Sequence, residues 1–434
     1  MAALELRLRE ASPGLLALPW HDHLARWDPG AVAFRDLPVG PSRHLVRFVE
    51  ADGLLWALKA LSRHSALREY EALRVMEARG LSAVRAAGVA LLGDDAVLVT
   101  RYLERSWQYR RLLLRLPDDA EGHRARLFEA LASLLVDLHR NGVFWGDCSL
   151  ANTLFSRDGQ VVQAWLVDAE TAEFHPALSE GQRCADLEIM TENVAGGLVD
   201  VAARRGALAG AHDRALAEAT GVGERYQRLW ELLHRRPTVA SGAPDPVAAH
   251  LRTLEGAGFA VDEVRLEPAQ DDTGQLRLSV EVAARRFHAE RLRALTGLDV
   301  GEGQAQVLLG DLRSHRERWQ RQRHTTVPES LGAREWLSDV FTPGAARAHA
   351  AQHHRGDPVQ AYCDLLEVRW LLSEREGRDV GDEPALEALA RHLTPTGAAA
   401  EVSVVDVPTE ELPVVVAEPE SPPDGHRDPT SPPT

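Results

Sequence analysis

Lysine occurs once in this chain, at position 59, although lysine and arginine together number 49. A compact ammonium is not interchangeable with a planar guanidinium, so this one departure from arginine marks a position with its own chemical demand. Lys59 sits in the apolar run LLWALKAL. Period-two alternation puts Ala57 and Lys59 on one face of a strand and Trp56 and Leu58 on the other. An ammonium facing a core is costly unless an anion meets it, so the fold must carry a carboxylate to Lys59. Glu69 is the candidate. It shares a helical stripe with Leu73 and Met76, on a helix expected over 65–79 and stopped by Gly80. Glu71 lies off that stripe.

The surrounding pattern is a sheet with one inserted helix. AVAFRDL, HLVRFVE and LLWALKAL read as three strands, the last two joined by the tight-turn pair Asp52-Gly53. GVALLG and AVLVTRYL read as two more. After Pro117 an amphipathic helix carries Leu127, Leu131, Leu134 and Leu138 on one stripe. The class is α+β and two-lobed: a five-stranded N-lobe with one helix over 31–104, then a helical C-lobe over 105–236. An N-terminal extension, 1–30, precedes it, with a helix expected around Leu15–Trp27. RPTVASGAPDP marks a linker over 237–245. Beyond it we expect a small α/β region with basic helices over 246–324. A helical region over 325–394 follows, with Trp336, Trp370, Leu365, Leu366, Leu371 and Leu372 as core candidates. An acidic, Pro-rich tail over 395–434 is expected to be disordered.

A formal net charge of -16 argues against a nucleic-acid binder, which carries a basic footprint. No apolar run reaches the ~18 residues of a membrane span, and the N-terminus lacks the apolar stretch of a secretory signal. Cys148, Cys184 and Cys363 are far apart and fit reduced thiols, hence a cytoplasmic setting.

Chemistry concentrates in LHRNGVFWGDCSLANTLF, residues 138–155. Asp147 and Asn152 flank four residues, after an amphipathic helix and before a short apolar strand. An aspartate so placed can accept the proton of an attacking hydroxyl, and an asparagine amide oxygen can ligate magnesium. The strand VVQAWLVD ends in Asp168 and pairs back through an Asp158-Gly159 turn. The order Lys59, Glu69, Asp147, Asn152, Asp168 resembles the protein-kinase-like superfamily, in its lipopolysaccharide-kinase-like and aminoglycoside-phosphotransferase-like branch. WGDCSLANTLF, LVDAETAE, YLERSWQYR and QAYCDLLEVRWLLSE resemble more closely a bacterial family called domain of unknown function 4032, over most of the chain except the tail.

That resemblance implies ATP and Mg2+ as cofactors. It makes Lys59, with its partner Glu69, the group that positions the α- and β-phosphates, and Gly40 and Ser42 the phosphate-loop contacts. Ala57 leaves room for adenine, Thr100 flanks the back of its pocket, and backbone groups of Arg101, Tyr102 and Leu103 meet its edge. Asn152 and Asp168 hold the metal, and Asp147 orients the acceptor hydroxyl. Asp186 resembles an aspartate that braces the catalytic loop, against the alternative of a helix cap or surface acid. Three departures stand out: Gly40 is the only glycine in VGPSRH, Trp145 replaces a histidine, and Ala169-Glu170 follows Asp168 in place of Phe-Gly. Only 17 residues separate Asp168 from Asp186, too few for a peptide-seating segment. The acceptor is therefore expected to be a small-molecule, sugar or lipid-sugar hydroxyl. Two other readings stay open. One is a pseudokinase or nucleotide-binding scaffold that presents 246–394 to a protein partner; the other is a different ATP-derived transfer such as adenylylation. Weaker signals are arginine clusters at 285–293 and 313–323, a His349, His353, His354 group with metal-like spacing, and Cys148 beside Asp147.

Overall fold

The computed structural model describes residues 4–9, 12–37, 43–115, 121–240, 244–256, 259, 261–269, 275–282, 287–354 and 357–391. Gly40, Ser42, Arg285, Arg286 and the tail from 395 lie outside the described residues.

The N-terminal sheet is larger than expected. Strand β1 (Leu4–Leu8) leads through a one-turn helix α1 (Pro13–Leu16) to β2 (Phe34–Arg35), β3 (Val46–Ala51) and β4 (Leu54–Ser62). Helix α2 (Arg63–Ala78), β5 (Ala86–Leu92) and β6 (Asp95–Arg101) complete it. The order β1-β5-β6-β4-β3-β2 gives six antiparallel strands, not five. The sixth comes from the N-terminal extension: LELRL alternates and closes the open edge of β5, pairing Leu4 with Leu92. Asp52 and Gly53 both take positive φ, 54° and 72°, as a two-residue turn between twisted strands requires.

The helix expected around Leu15–Trp27 is also corrected. Only α1 and a 3-10 turn at Leu24–Arg26 form there. The indole N–H of Trp20 donates to the Leu15 carbonyl (2.7 Å) and that of Trp27 to the Asp22 carbonyl (3.0 Å), fixing an irregular chain. Leu15, Trp20, Leu24 and Trp27 then bury the outer face of the sheet, where Trp56, Leu58 and Val99 point. The opposite face of the sheet packs with α2 into the main core.

That core continues through β7 (Ser106–Gln108), α3 (Tyr109–Arg115), α4 (Glu121–Arg140) and the short strand β8 (Val143–Phe144). A hairpin follows, β9 (Thr153–Asp158) and β10 (Val161–Leu166), with β7 on its other edge. Strand β11 (Glu173–Phe174) pairs with β8, and α5 (Glu180–Arg204) and α6 (Ala211–His234) close the lobe. Leu127, Leu131, Leu134 and Leu138 of α4 are all buried in it.

Part of the expected linker is strand β12 (Thr238–Ala240). After α7 (Pro244–Gly256) come β13 (Val261–Pro268) and β14 (Gln275–Val282), and β12 joins them in the order β12-β14-β13. Leu254, Phe259, Val280 and Val282 pack on the main core. A separate apolar cluster is built by α8 (Phe287–Thr296), α9 (Glu302–Arg323), α10 (Glu329–Glu335), a π-helical turn at Trp336–Phe341, α11 (Thr342–Ala351), α12 (Pro358–Glu376) and α13 (Asp382–Ala390). The apolar clusters thus divide between β14 and α8, upstream of the boundary expected at 324, because Ala305, Leu308 and Leu312 of α9 face the bundle. Trp336 and Leu365 are buried as expected, but Trp370 is 61% exposed. The buried apolar stripe of α12 runs through Ala361, Leu365 and Val368, and Trp370 falls off it. No helix among the described residues is long and apolar enough to cross a membrane.

Candidate active site

Strand β4 delivers Lys59 to a cavity of about 510 Å3 between the sheet and the helical lobe. Its Nζ donates to Glu69 Oε2 (3.0 Å) and Asp168 Oδ2 (2.7 Å). Glu69 reaches it from α2, a helix started by the Ser62 side chain capping Ser65 N–H. Glu71 is exposed and pairs with Arg74 instead. One ammonium thus serves two carboxylates, and the more buried one is the one that takes up a proton more readily. Burial, and then the negative charge of Asp168, push the Glu69 carboxyl up to about 7, against the pull of Lys59. Its Oε1 is buried and has no hydrogen-bond partner among the described residues, which also favours the protonated form. For Lys59, burial acts downward but Glu69 and Asp168 outweigh it, so the ammonium is held above its ordinary value.

Asp147 lies in the loop after β8 and lines the same cavity. Its two carboxylate oxygens accept from two amides: Oδ2 from Asn152 Nδ2 (2.9 Å) and Oδ1 from Asn193 Nδ2 (3.1 Å). The Asn152 amide group is fixed from its nitrogen side, which leaves Oδ1 without a partner among the described residues. Asp168 follows β10, and its Oδ1 accepts the Glu170 N–H (3.1 Å). The Val167 N–H donates to the Asn152 carbonyl (3.1 Å), tying the two ends of the hairpin together.

Below this loop Asp186, fully buried on α5, accepts the backbone N–H groups of Trp145 (2.7 Å) and Gly146 (2.9 Å). It also lies 3.0 Å from His139 Nε2, whose Nδ1 meets the Tyr226 hydroxyl at 2.8 Å. A carboxylate with three partners in a dry setting fixes the loop backbone rather than capping a helix. Trp145 packs with no exposed surface, and its indole N–H donates to the Asp168 carbonyl (3.1 Å). The single donor of an indole is enough to tie the two loops.

Ala57, Thr100, Arg101, Tyr102 and Leu103 all line the cavity. Ala57 pairs across the sheet with Thr100. The expected backbone contact along 101–103 narrows, because the Arg101 N–H donates to the Arg85 carbonyl and the Tyr102 N–H to the Leu55 carbonyl. Among the described residues the Leu103 N–H is the one in that stretch with no backbone partner.

Sequence reasoning missed Asn193. It sits in a 25-residue helix with no motif of its own. The available signal is its i+7 spacing from Asp186, which puts both on the face of α5 turned to the loop. Among the described residues the weaker signals do not gather into sites. His353 and His354 lie beyond the end of α11 with positive φ, which breaks the helical spacing. Among the described residues no group of three or more His, Cys, Asp or Glu is placed to hold a metal. Arg291 and Arg316 pair with Glu329. Burial pushes the Cys148 thiol well up, away from a reactive thiolate.

Residues 52–205 match the model of the Lipopolysaccharide kinase (Kdo/WaaP) family, and residues 228–393 that of the Domain of unknown function (DUF4032). The family likeness read over most of the chain therefore divides between two models. No curated protein matches the chain. A solved structure of WaaP in complex with acyl carrier protein aligns with 53% of this chain and 100% of its own, at 20% identity and a TM-score of 0.33. The chain thus joins a stretch similar to the lipopolysaccharide kinase (Kdo/WaaP) family, which contains Lys59, Asp147 and Asp168, to a stretch similar to domain of unknown function 4032.

Proposed function

We propose that the protein is an ATP-dependent phosphotransferase that passes the γ-phosphoryl group of ATP to a hydroxyl. The observation that carries this reading is the convergence, in one cavity, of Lys59 between Glu69 and Asp168 with Asp147 held by two amides. Lys59 contributes the ammonium that meets the α- and β-phosphates, and Glu69 holds it in place. Leu103 offers a backbone N–H to the adenine edge, and Ala57 leaves space for the ring. Asp147, acceptor at both oxygens, orients the attacking hydroxyl and takes its proton. Asp168 and the Asn152 amide oxygen present hard oxygen donors, which suit magnesium. That ion needs only one or two protein ligands when phosphates complete its shell. Bound magnesium supplies neutralisation of the charge on the transferred group. The short segment between Asp168 and α5 supports a small-molecule, sugar or lipid-sugar acceptor rather than a protein.

Thermal-shift and calorimetric titration with ATP, with and without magnesium, tests the reading, with product analysis for ADP against pyrophosphate. Binding strengthened by magnesium and ADP as product are expected. Absence of binding at millimolar nucleotide removes the enzyme reading, and pyrophosphate redirects it to adenylylation. Asp168→Ala abolishes the magnesium dependence, and Lys59→Arg weakens binding at least tenfold.

A further inference from the structure

Asp158 and Gly159 at the tip of the β9–β10 hairpin are buried, although hairpin tips ordinarily face water, as Gln160 and Val161 do here. Polar groups of Arg157, Asp158 and Gly159 there bond the helical bundle of residues 287–391. Arg157, its side chain 7% exposed, pairs through Nη2 with Asp364 (2.8 Å) and Glu367 (3.4 Å) of α12. Asp158 caps α9: its two oxygens accept the N–H groups of Gly303 and Gln304, each at 2.9 Å. The Gly159 peptide is held from both sides by one side chain. Its N–H donates to Gln360 Oε1 (2.9 Å), and its carbonyl accepts from Gln360 Nε2 (2.8 Å). Steric evidence agrees. A Cβ on Gly303 would overlap the Asp158 carbonyl oxygen, and one on Gly159 would lie 2.7 Å from the Gly303 backbone. The approach is close enough that only glycine fits on either side.

The other end of this hairpin is the candidate active site. Asn152 precedes β9, Asp168 follows β10, and the Val167 N–H to Asn152 carbonyl bond joins them. A six-residue strand spans about 20 Å, so the joint and the site are the two ends of one rigid ribbon. The hairpin is also fixed at its side: the Leu166 N–H donates to the Ser82 carbonyl, and Gln163 Nε2 to Ser82 Oγ.

We infer that the bundle of residues 287–391 is a clamp that sets the position of Asn152 and Asp168 through the hairpin, with Arg157, Asp158 and Gln360 as positioning residues. The metal side of the cleft is then formed only when the bundle is docked, and anything that loosens the bundle lowers magnesium-dependent binding first. The link to magnesium rests on the phosphotransferase reading; the clamp itself does not.

Two full-length variants test it. Gln360→Ala removes the paired amide contact, and Gly303→Ala forces the backbones apart. Hydrogen exchange without ligand is expected to quicken at least tenfold across 153–168, with protection of β3 to β6 unchanged. The ratio of ATP affinity with magnesium to that in EDTA is expected to fall about tenfold, while affinity in EDTA stays the same. Arg157→Lys, which keeps the charge, retains most of the ratio. Exchange across 153–168 unchanged in Gln360→Ala overturns the clamp. So does a loosened hairpin that leaves the magnesium ratio intact. If the wild type binds no nucleotide, the phosphotransferase reading falls, and the exchange result alone decides the clamp: quickening confined to 153–168 upholds it, no change rejects it.

Discussion

Replacing Glu69 by glutamine is expected to stabilise the fold above neutral pH while damaging the site. The carboxyl is fully buried, with one oxygen on Lys59 and the other without a partner among the described residues. Its folded value of about 7 stands above the ordinary 4.5. A raised carboxyl value means that the folded state holds the proton more tightly than the unfolded chain. Below 4.5 both states are protonated and nothing is lost. As pH rises from 4.5 to 7 the unfolded chain releases its proton first, so wild-type stability falls through that window and levels off above it. At about 1.4 kcal/mol per pH step, the ceiling of the loss is about 3 kcal/mol. Lys59 and Asp168 sit at the solvent side of the cleft, which reduces the expected figure to roughly 1–3 kcal/mol. Glutamine keeps the shape, cannot ionise and removes the slope. Urea unfolding of wild type and Glu69→Gln at intervals from pH 4.5 to 8 measures the difference directly. The two curves should meet near pH 4.5 and diverge in favour of the variant up to about pH 7. The same variant should bind Mg-ATP at least tenfold more weakly, since a neutral amide holds the Lys59 ammonium less firmly than a carboxylate. A difference flat across the range, or a variant less stable than wild type at pH 8, refutes the reasoning about one ammonium shared by two carboxylates.

Two further outcomes are expected. Asn193→Ala frees one oxygen of Asp147 and should lower kcat by about tenfold to a hundredfold with little change in KM for ATP, read by steady-state ADP formation. In the native protein iodoacetamide at pH 8 should label Cys184, which is exposed, and leave Cys148 untouched, as mass spectrometry of tryptic peptides would show; rapid labelling of Cys148 contradicts its burial.

Much of the site was legible from short-range pattern. Strand alternation turned Ala57 and Lys59 to one face and Trp56 and Leu58 to the other, and the structure keeps that division, the first pair lining the cavity and the second buried in a core. Helical spacing chose Glu69 over Glu71 for the same reason: which face a residue takes is set within two turns. The N-terminal segment forms no continuous helix, although Leu15, Trp20, Leu24 and Trp27 have apolar spacings close to those of a helix. Their irregular path is set by the sheet face they cover, and that face is made by residues about 30 to 80 positions away. The apolar cluster of the bundle includes α8 and α9 because α9, though basic, keeps a narrow apolar stripe whose partner on α12 lies about 50 residues on.

The sequence alone determined the order Lys59, Glu69, Asp147, Asn152, Asp168, the local element that carries each, and the chemical type each supplies. Local periodicity and turn chemistry act over a few residues and leave a readable trace. Tertiary structure alone decided that Lys59, Asp147, Asn152 and Asp168 line one cavity with Glu69 behind Lys59, that Asn193 holds Asp147 across 46 residues, and that Gln360 grips Gly159 across 201. Hydrogen bonds at such separations leave no spacing signature. They exist only because packing of the two cores brings a helix face and a hairpin tip together.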